Sequence, residues 1–205
     1  KWYYMSMNSS DGAGIALLSV YDKTGIVEFA QGLSDLNWKI YASGGTAKAI
    51  SDAGIAVEDV TSLVGGSAIL GHRVVTLSRE ISAGLLADKS SPEDLDEMSK
   101  LGLPIIDLVC VDMYPLEEAI AEPDSSLESV ILKTDIGGPT MLRSAAKGGR
   151  IVLSKASQRS SVIEWLQTDK PDGQEFVRNL CAIAEYEVAR YIVSSAKYLN
   201  GNEVS

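Results

Sequence analysis

The chain has 205 residues, of which 45% are hydrophobic and 22% charged, the profile of a globular protein with enough apolar material for a sizeable core. Its 18 basic and 28 acidic residues give a formal net charge of −10, which repels a polyanion when no basic stripe offsets it, so nucleic acid is excluded as a partner. The single histidine, His72, has no Cys, His or HExxH companion, which excludes a multi-histidine metal site, and no apolar run nears the ~18 residues that span a bilayer.

Residues 1–12 (KWYYMSMNSSDG) lack the apolar stretch and cleavage site of a signal peptide and are read as a flexible segment outside the fold. GIALLSV (14–20) reads as a buried parallel strand ending in the polar turn YDKTG. Ile26, Phe29, Ala30, Leu33 and Leu36 then recur at helical spacing. The pattern repeats as strand WKIYA (38–42), tight loop SGGT (43–46), a short helix stopped by Gly54, and a third strand IAVEDV (55–60). Residues 61–104 read as a long excursion over the active-site edge, with one polar helix, DLDEMSKLG, opened by SSPED. A strand IIDLVCV (105–111), a helix from about Ser126 to Lys133, a helix with Pro139 in its first turn and Gly148-Gly149 at its end, and a strand IVLS (151–154) follow. From Gln174 to Leu199 roughly helical apolar spacing gives one long amphipathic helix.

Short strands alternating with helices specify an α/β fold, a three-layer arrangement whose mainly parallel sheet is flanked by helices on both faces. The expected organisation is a domain over 13–155 and a C-terminal helical extension over 156–205 that covers the domain or a partner subunit, which leaves a homodimer open. Cys110, inside an apolar run, and Cys181 lack CxxC spacing and read as reduced core thiols of a cytoplasmic protein.

Ligands of such sheets bind at the carboxyl ends of the strands, where YDKTG and SGGT fall. Gly44 and Gly45 let backbone N–H groups approach an anion at a helix N-terminus, Ser43 and Thr46 add hydroxyl donors, and Lys23 adds a cation, which together suit a phosphate. Asp135 and Lys147 flank the TDIGGPTMLRSAAK segment as an acid and an amine that can shuttle protons if they converge; capping roles are the plain alternative. Tyr114, just after a strand end, brings a phenol to the same edge.

LLSVYDKTGIVEFA, ASGGTAKAISDAGIAVEDV, LGHRVVTLS, DLVCVDMYPLEEAIA and DIGGPTMLRSAAK, in this order, resemble the IMP cyclohydrolase domain of the bifunctional AICAR transformylase/IMP cyclohydrolase. The resemblance implies a methylglyoxal-synthase-like fold with no cofactor, and closure of formylated aminoimidazole carboxamide ribotide (FAICAR) to IMP with loss of water. It places nucleotide-binding segments on Tyr21, Asp22 and Lys23, on Ser43, Gly44, Gly45 and Thr46, on Arg73, Val75 and Thr76, on Val111 and Asp112, and on Ile136 beside Asp135. It makes Tyr114, Asp135 and Lys147 the catalytic set. The family usually reads RVKTLHP where this chain reads RVVTLSR, so Val75 stands for a lysine that stabilises the transition state and Ser78 for a histidine. Asp112 replaces the asparagine of NLYP, and Tyr21 a usual serine. The functional expectation is a stand-alone cyclohydrolase in purine biosynthesis, supplied with its ribotide by a separate formyltransferase. The alternatives are a nucleotide-binding or regulatory module with impaired catalysis, and a paralogue closing another azole carboxamide ribotide.

Overall fold

The computed structural model describes residues 14–70, 74–168, 170 and 172–201. Its centre is the strand β1 (Ile15–Val20), where Ala16, Leu17 and Leu18 have no exposure at all, as the middle of a two-sided sheet requires. Truncating one such leucine to alanine costs about 2–5 kcal/mol. From β1 the chain runs through α1 (Ile26–Asp35), β2 (Lys39–Ala42), α2 (Gly44–Asp52) and the two-residue β3 (Glu58–Asp59), stepping outward along one side of the sheet. It then passes α3 (Arg79–Leu86) and α4 (Pro92–Leu101) and returns to the other flank of β1 as β4 (Leu108–Asp112). After α5 (Leu116–Ala121), α6 (Leu127–Lys133) and α7 (Gly137–Lys147), β5 (Ile151–Leu153) completes a five-stranded parallel sheet in the order β3-β2-β1-β4-β5.

The crossovers on either side of β1 divide the helices into two groups, as expected of parallel βαβ connections that cover both faces of a sheet. α1 packs with α2 and with α8 (Arg159–Leu166), while α7 packs with α3 and with α9 (Gly173–Leu199). The α/β class, the parallel sheet and the long final helix therefore agree with the sequence reading. The chain reverses its direction of growth between β1 and β4, whose last residues, Val20 and Asp112, are register partners. That switch point opens a crevice at the carboxyl edge of the sheet.

Several elements differ from expectation. The third strand is confined to Glu58–Asp59, because the Asp59 carboxylate accepts from the Thr61 N–H at 2.8 Å and turns the chain into a 3-10 helix instead of extending the ladder. Only Ser43 of SGGT is outside a helix, since α2 already begins at Gly44. The 61–104 stretch contains α3 as well as α4; Ser78 starts α3 by accepting the Ile81 N–H at 3.0 Å. In α9 the buried stripe is Val177, Leu180, Cys181, Ala184 and Val188, whereas Ile183 and Ile192 face outward. That stripe lies on α7 and β5 of the same chain. Cys110 and Cys181 are buried and free, and burial pushes both thiols up to about 11.

Candidate functional site

At the switch point lies a cavity of about 710 Å³. One wall is the first turn of α2. Here Ser43 precedes the helix in extended conformation, Gly44 and Gly45 leave their N–H groups uncovered, and the Ser43 and Ser19 hydroxyls share a 2.8 Å hydrogen bond. Helix N-terminal N–H groups with adjacent hydroxyls form a ready anion site. Thr46 does not contribute its hydroxyl to it: Oγ1 is buried, donates to the Val20 carbonyl at 3.2 Å and accepts from the Val20 N–H at 3.1 Å, stapling α2 to β1. Lys23 folds back so that Nζ donates to the carbonyls of Val20 (2.5 Å) and Tyr21 (2.9 Å), beside Gly45. Burial draws its ammonium below the ordinary lysine value, with Asp112 and Asp22 opposing.

Asp22 serves its own loop. Its carboxylate accepts from the N–H (2.9 Å) and hydroxyl (2.8 Å) of Thr24, and these bonds hold it below the usual carboxylate range. The next turn is fixed from α8, where buried Arg159 donates to the Thr24 carbonyl.

The opposite wall carries the reactive groups. Asp135 precedes α7, and its Oδ1 accepts from the Gly138 N–H at 2.9 Å while its own N–H donates to the Tyr191 hydroxyl of α9 at 2.7 Å. Burial raises the Asp135 carboxyl above its ordinary value; the N–H groups of Gly138, Tyr114 and Gly137 pull the other way without cancelling the shift. Two glycines are required here by close approach: a Cβ on Gly138 would overlap the Asp135 carboxylate, and one on Gly137 would stand 2.7 Å from the Thr76 hydroxyl. Tyr114 lies between Asp135 and Tyr21, and its ring meets that of Tyr21 edge-on with centroids 4.6 Å apart. The neighbouring Tyr114 hydroxyl raises the Tyr21 phenol above its ordinary value. Val75, Thr76, Val111, Asp112 and Ile136 complete the cavity, with Asp112 Oδ2 accepting from the Asp22 N–H at 2.9 Å.

The sequence reading has Asp135 and Lys147 converging on one cavity. Within one chain they do not: Lys147 is the exposed last residue of α7, an uninterrupted helix of 11 residues that at a rise of ~1.5 Å per residue separates the two by about 16 Å. Arg73 and His72 lie outside the described residues. Three residues that sequence reasoning passed over belong to the site: Ser19 and Lys133, which line the cavity, and Tyr191, which anchors Asp135. Behind Tyr114 and Asp112, a second cavity of about 430 Å³ is bordered by an ion network of Lys155, Glu187 and Arg190 that ties α9 to the loop after β5.

An alignment model of the MGS-like domain matches residues 25–140, more than half the chain and the whole span from the end of the β1 loop to the first turn of α7. The chain belongs to the MGS-like domain family. Among curated relatives, the bifunctional purine biosynthesis protein PurH of Macrococcus caseolyticus is 45% identical over 159 residues, covering 77% of this chain and 32% of that protein. PurH of Trichodesmium erythraeum is 40% identical over 195 residues, 93% of this chain and 38% of that one. This MGS-like protein thus spans about a third of the length of the curated relatives it matches. The crystal structure of ForH superposes with a TM-score of 0.78 at 34% identity, over 94% of this chain and 100% of that one. The family and fold implied by the DKTG, SGGTAK and DIGGPTMLRSAAK segments are therefore correct. Among the described residues no helix is long and apolar enough to cross a membrane.

Proposed function

We propose that this domain closes the six-membered ring of a formylated aminoimidazole carboxamide ribotide, converting FAICAR to IMP and water, as a step of purine biosynthesis. The observation that carries the reading is the shared cavity, which has an uncovered helix N-terminus on one wall and Asp135 with Tyr114 on the other. The ribotide phosphate takes the Gly44 and Gly45 N–H groups and the Ser43 and Ser19 hydroxyls, with Lys23 beside them, and the base reaches toward Asp135.

Ring closure joins the carboxamide nitrogen to the formyl carbon. As the bond forms, a proton leaves that nitrogen for the Asp135 carboxylate, and the formyl C=O electrons move onto oxygen. Tyr114 donates a hydrogen bond to this oxyanion. The oxygen then takes up two protons, the one held by Asp135 and the one released from the former formamide nitrogen as its C=N bond forms, and leaves as water; the former carboxamide nitrogen keeps its second proton in the aromatic ring. A carboxyl raised by burial is a stronger base than an exposed one, which suits the first step. The formylated substrate comes from a separate formyltransferase in this reading, and two reduced core thiols accord with a cytoplasmic setting.

The test is spectroscopic ring closure by the purified protein and by Asp135→Asn and Tyr114→Phe, each checked for IMP binding. Turnover by the wild type, lost or greatly reduced in the variants with binding retained, supports the assignment; wild-type binding without turnover refutes it. The Tyr21–Tyr114 edge contact favours a second reading, in which the same closure acts on a different azole carboxamide ribotide, because a phenol at position 21 reshapes the cavity mouth. Comparing kcat/KM on the two azoles separates these readings.

A further inference from the structure

The proposed ring closure develops negative charge on the formyl oxygen, and position 75, which lines the cavity, brings no cation to meet it. Among the described lining residues the positive charge is on Lys133, the last residue of α6, with acidic groups at Asp112 and Asp135. Lys133 lines the same cavity as both phenols of the Tyr21–Tyr114 pair. Its Nζ is held by Glu122, at the end of α5, in an ion pair whose side chains are 32% and 45% exposed. An ammonium has three donors. Glu122 takes one, which fixes the side chain and leaves two for a ligand.

We propose that Lys133 is the charge-stabilising residue of this site, donating to the oxygen that becomes anionic as the ring closes and thereby supplying the cation that Val75 does not. The inference rests on the ring-closure reading. The covalent balance is that already given: the carboxamide nitrogen's proton goes to Asp135, the carbonyl electron pair goes to the formyl oxygen, and that oxygen leaves as water. Lys133 neither gains nor loses a proton overall. The Glu122 carboxylate raises the Lys133 ammonium above its ordinary value, so the group stays charged across the working range. Its partly exposed pairing also lets it shift from Glu122 to a ligand at little expense.

The test compares wild type, Lys133→Met, Lys133→Arg, and Lys133→Met combined with Val75→Lys. Removing one electrostatic donor to an oxyanion lowers kcat by about 10²–10³-fold. Lys133→Met is expected to lose kcat on that scale with KM changed by only a few-fold. Arginine should retain part of the activity, and lysine at 75 should recover part of it in the Met background. A Lys133→Met enzyme with wild-type kcat overturns the proposal, as does a loss that appears only in KM. A readout independent of turnover is ultraviolet titration of the Tyr21 phenol, identified by Tyr21→Phe. Its midpoint should move to higher pH in Lys133→Met, and an unmoved midpoint overturns the placement of Lys133 beside the phenols. If the wild type binds IMP but does not turn over, the ring-closure reading fails, and the titration still decides whether Lys133 charges this cavity.

Discussion

Gly138→Ala tests the close approach around Asp135. An added Cβ would overlap the Asp135 carboxylate and stand 3.3 Å from Met113 Cγ, and the carboxylate is on a short side chain already fixed by backbone N–H groups. It must rotate away, losing the 2.9 Å bond from the Gly138 N–H. A hydrogen bond to a charged group contributes about 1.5–3 kcal/mol. Alanine in a helix is favoured over glycine by about 1 kcal/mol, which offsets part of this. The net loss is about 0.5–2 kcal/mol, or roughly 1–8 °C in Tm for a chain of this size. The effect on chemistry is larger, because a misplacement of ~1 Å costs about 10²-fold in rate. Ring-closure kcat/KM and thermal unfolding, measured on one preparation, should show activity falling about a hundredfold while the fold persists. Gly44→Ala is the control for stability: its Cβ meets nothing within 4 Å, so Tm should hold or rise, while a methyl at the cavity wall raises KM for the ribotide. Wild-type kcat/KM in Gly138→Ala would refute the assignment of Asp135 as the base held by this turn.

Because burial raises the Asp135 carboxyl, the acid limb of the kcat/KM profile should lie above the ordinary carboxylate value of about 4. The same shift favours the folded state below the unfolded pKa, a contribution lost as pH rises through the folded pKa; Asp135→Asn should remove that dependence in melts across the range. Tyr191→Phe leaves the Asp135 N–H without its acceptor, costing about 1–3 kcal/mol, and should lower kcat more than it raises KM. Lys147 can reach a reacting centre only from another copy. If Lys147→Ala impairs turnover, mixing it with Asp135→Asn must restore part of the activity, and failure to complement would contradict its position at the far end of α7.

The sheet was legible because β1 and β4 are short, continuously apolar and bounded by polar turns, which leaves little choice but a buried parallel strand. Helices α3, α5 and α8, each eight residues or fewer, were not placed by the apolar spacing. In the site, Ser43, Gly44 and Gly45 could be placed from the strand end that carries them, and Asp135 from the Gly-Gly-Pro helix start that follows it. Thr46 and Asp22 could not be distinguished from ligand donors, because the groups that occupy them, the Val20 backbone for Thr46 and the Thr24 N–H and hydroxyl for Asp22, are set only by the folded structure. Lys133 and Tyr191 reach the site from α6 and α9, and nothing in local sequence says which way a lysine at a helix end or a tyrosine in a long helix will point.

The most direct measurement is ultraviolet-monitored closure of FAICAR by the purified protein, beside Asp135→Asn. The account requires IMP to form well above the uncatalysed rate and the variant to fall by two orders of magnitude or more, as loss of a positioned base implies. Equal rates for protein and buffer, with IMP shown to occupy the cavity, would contradict it.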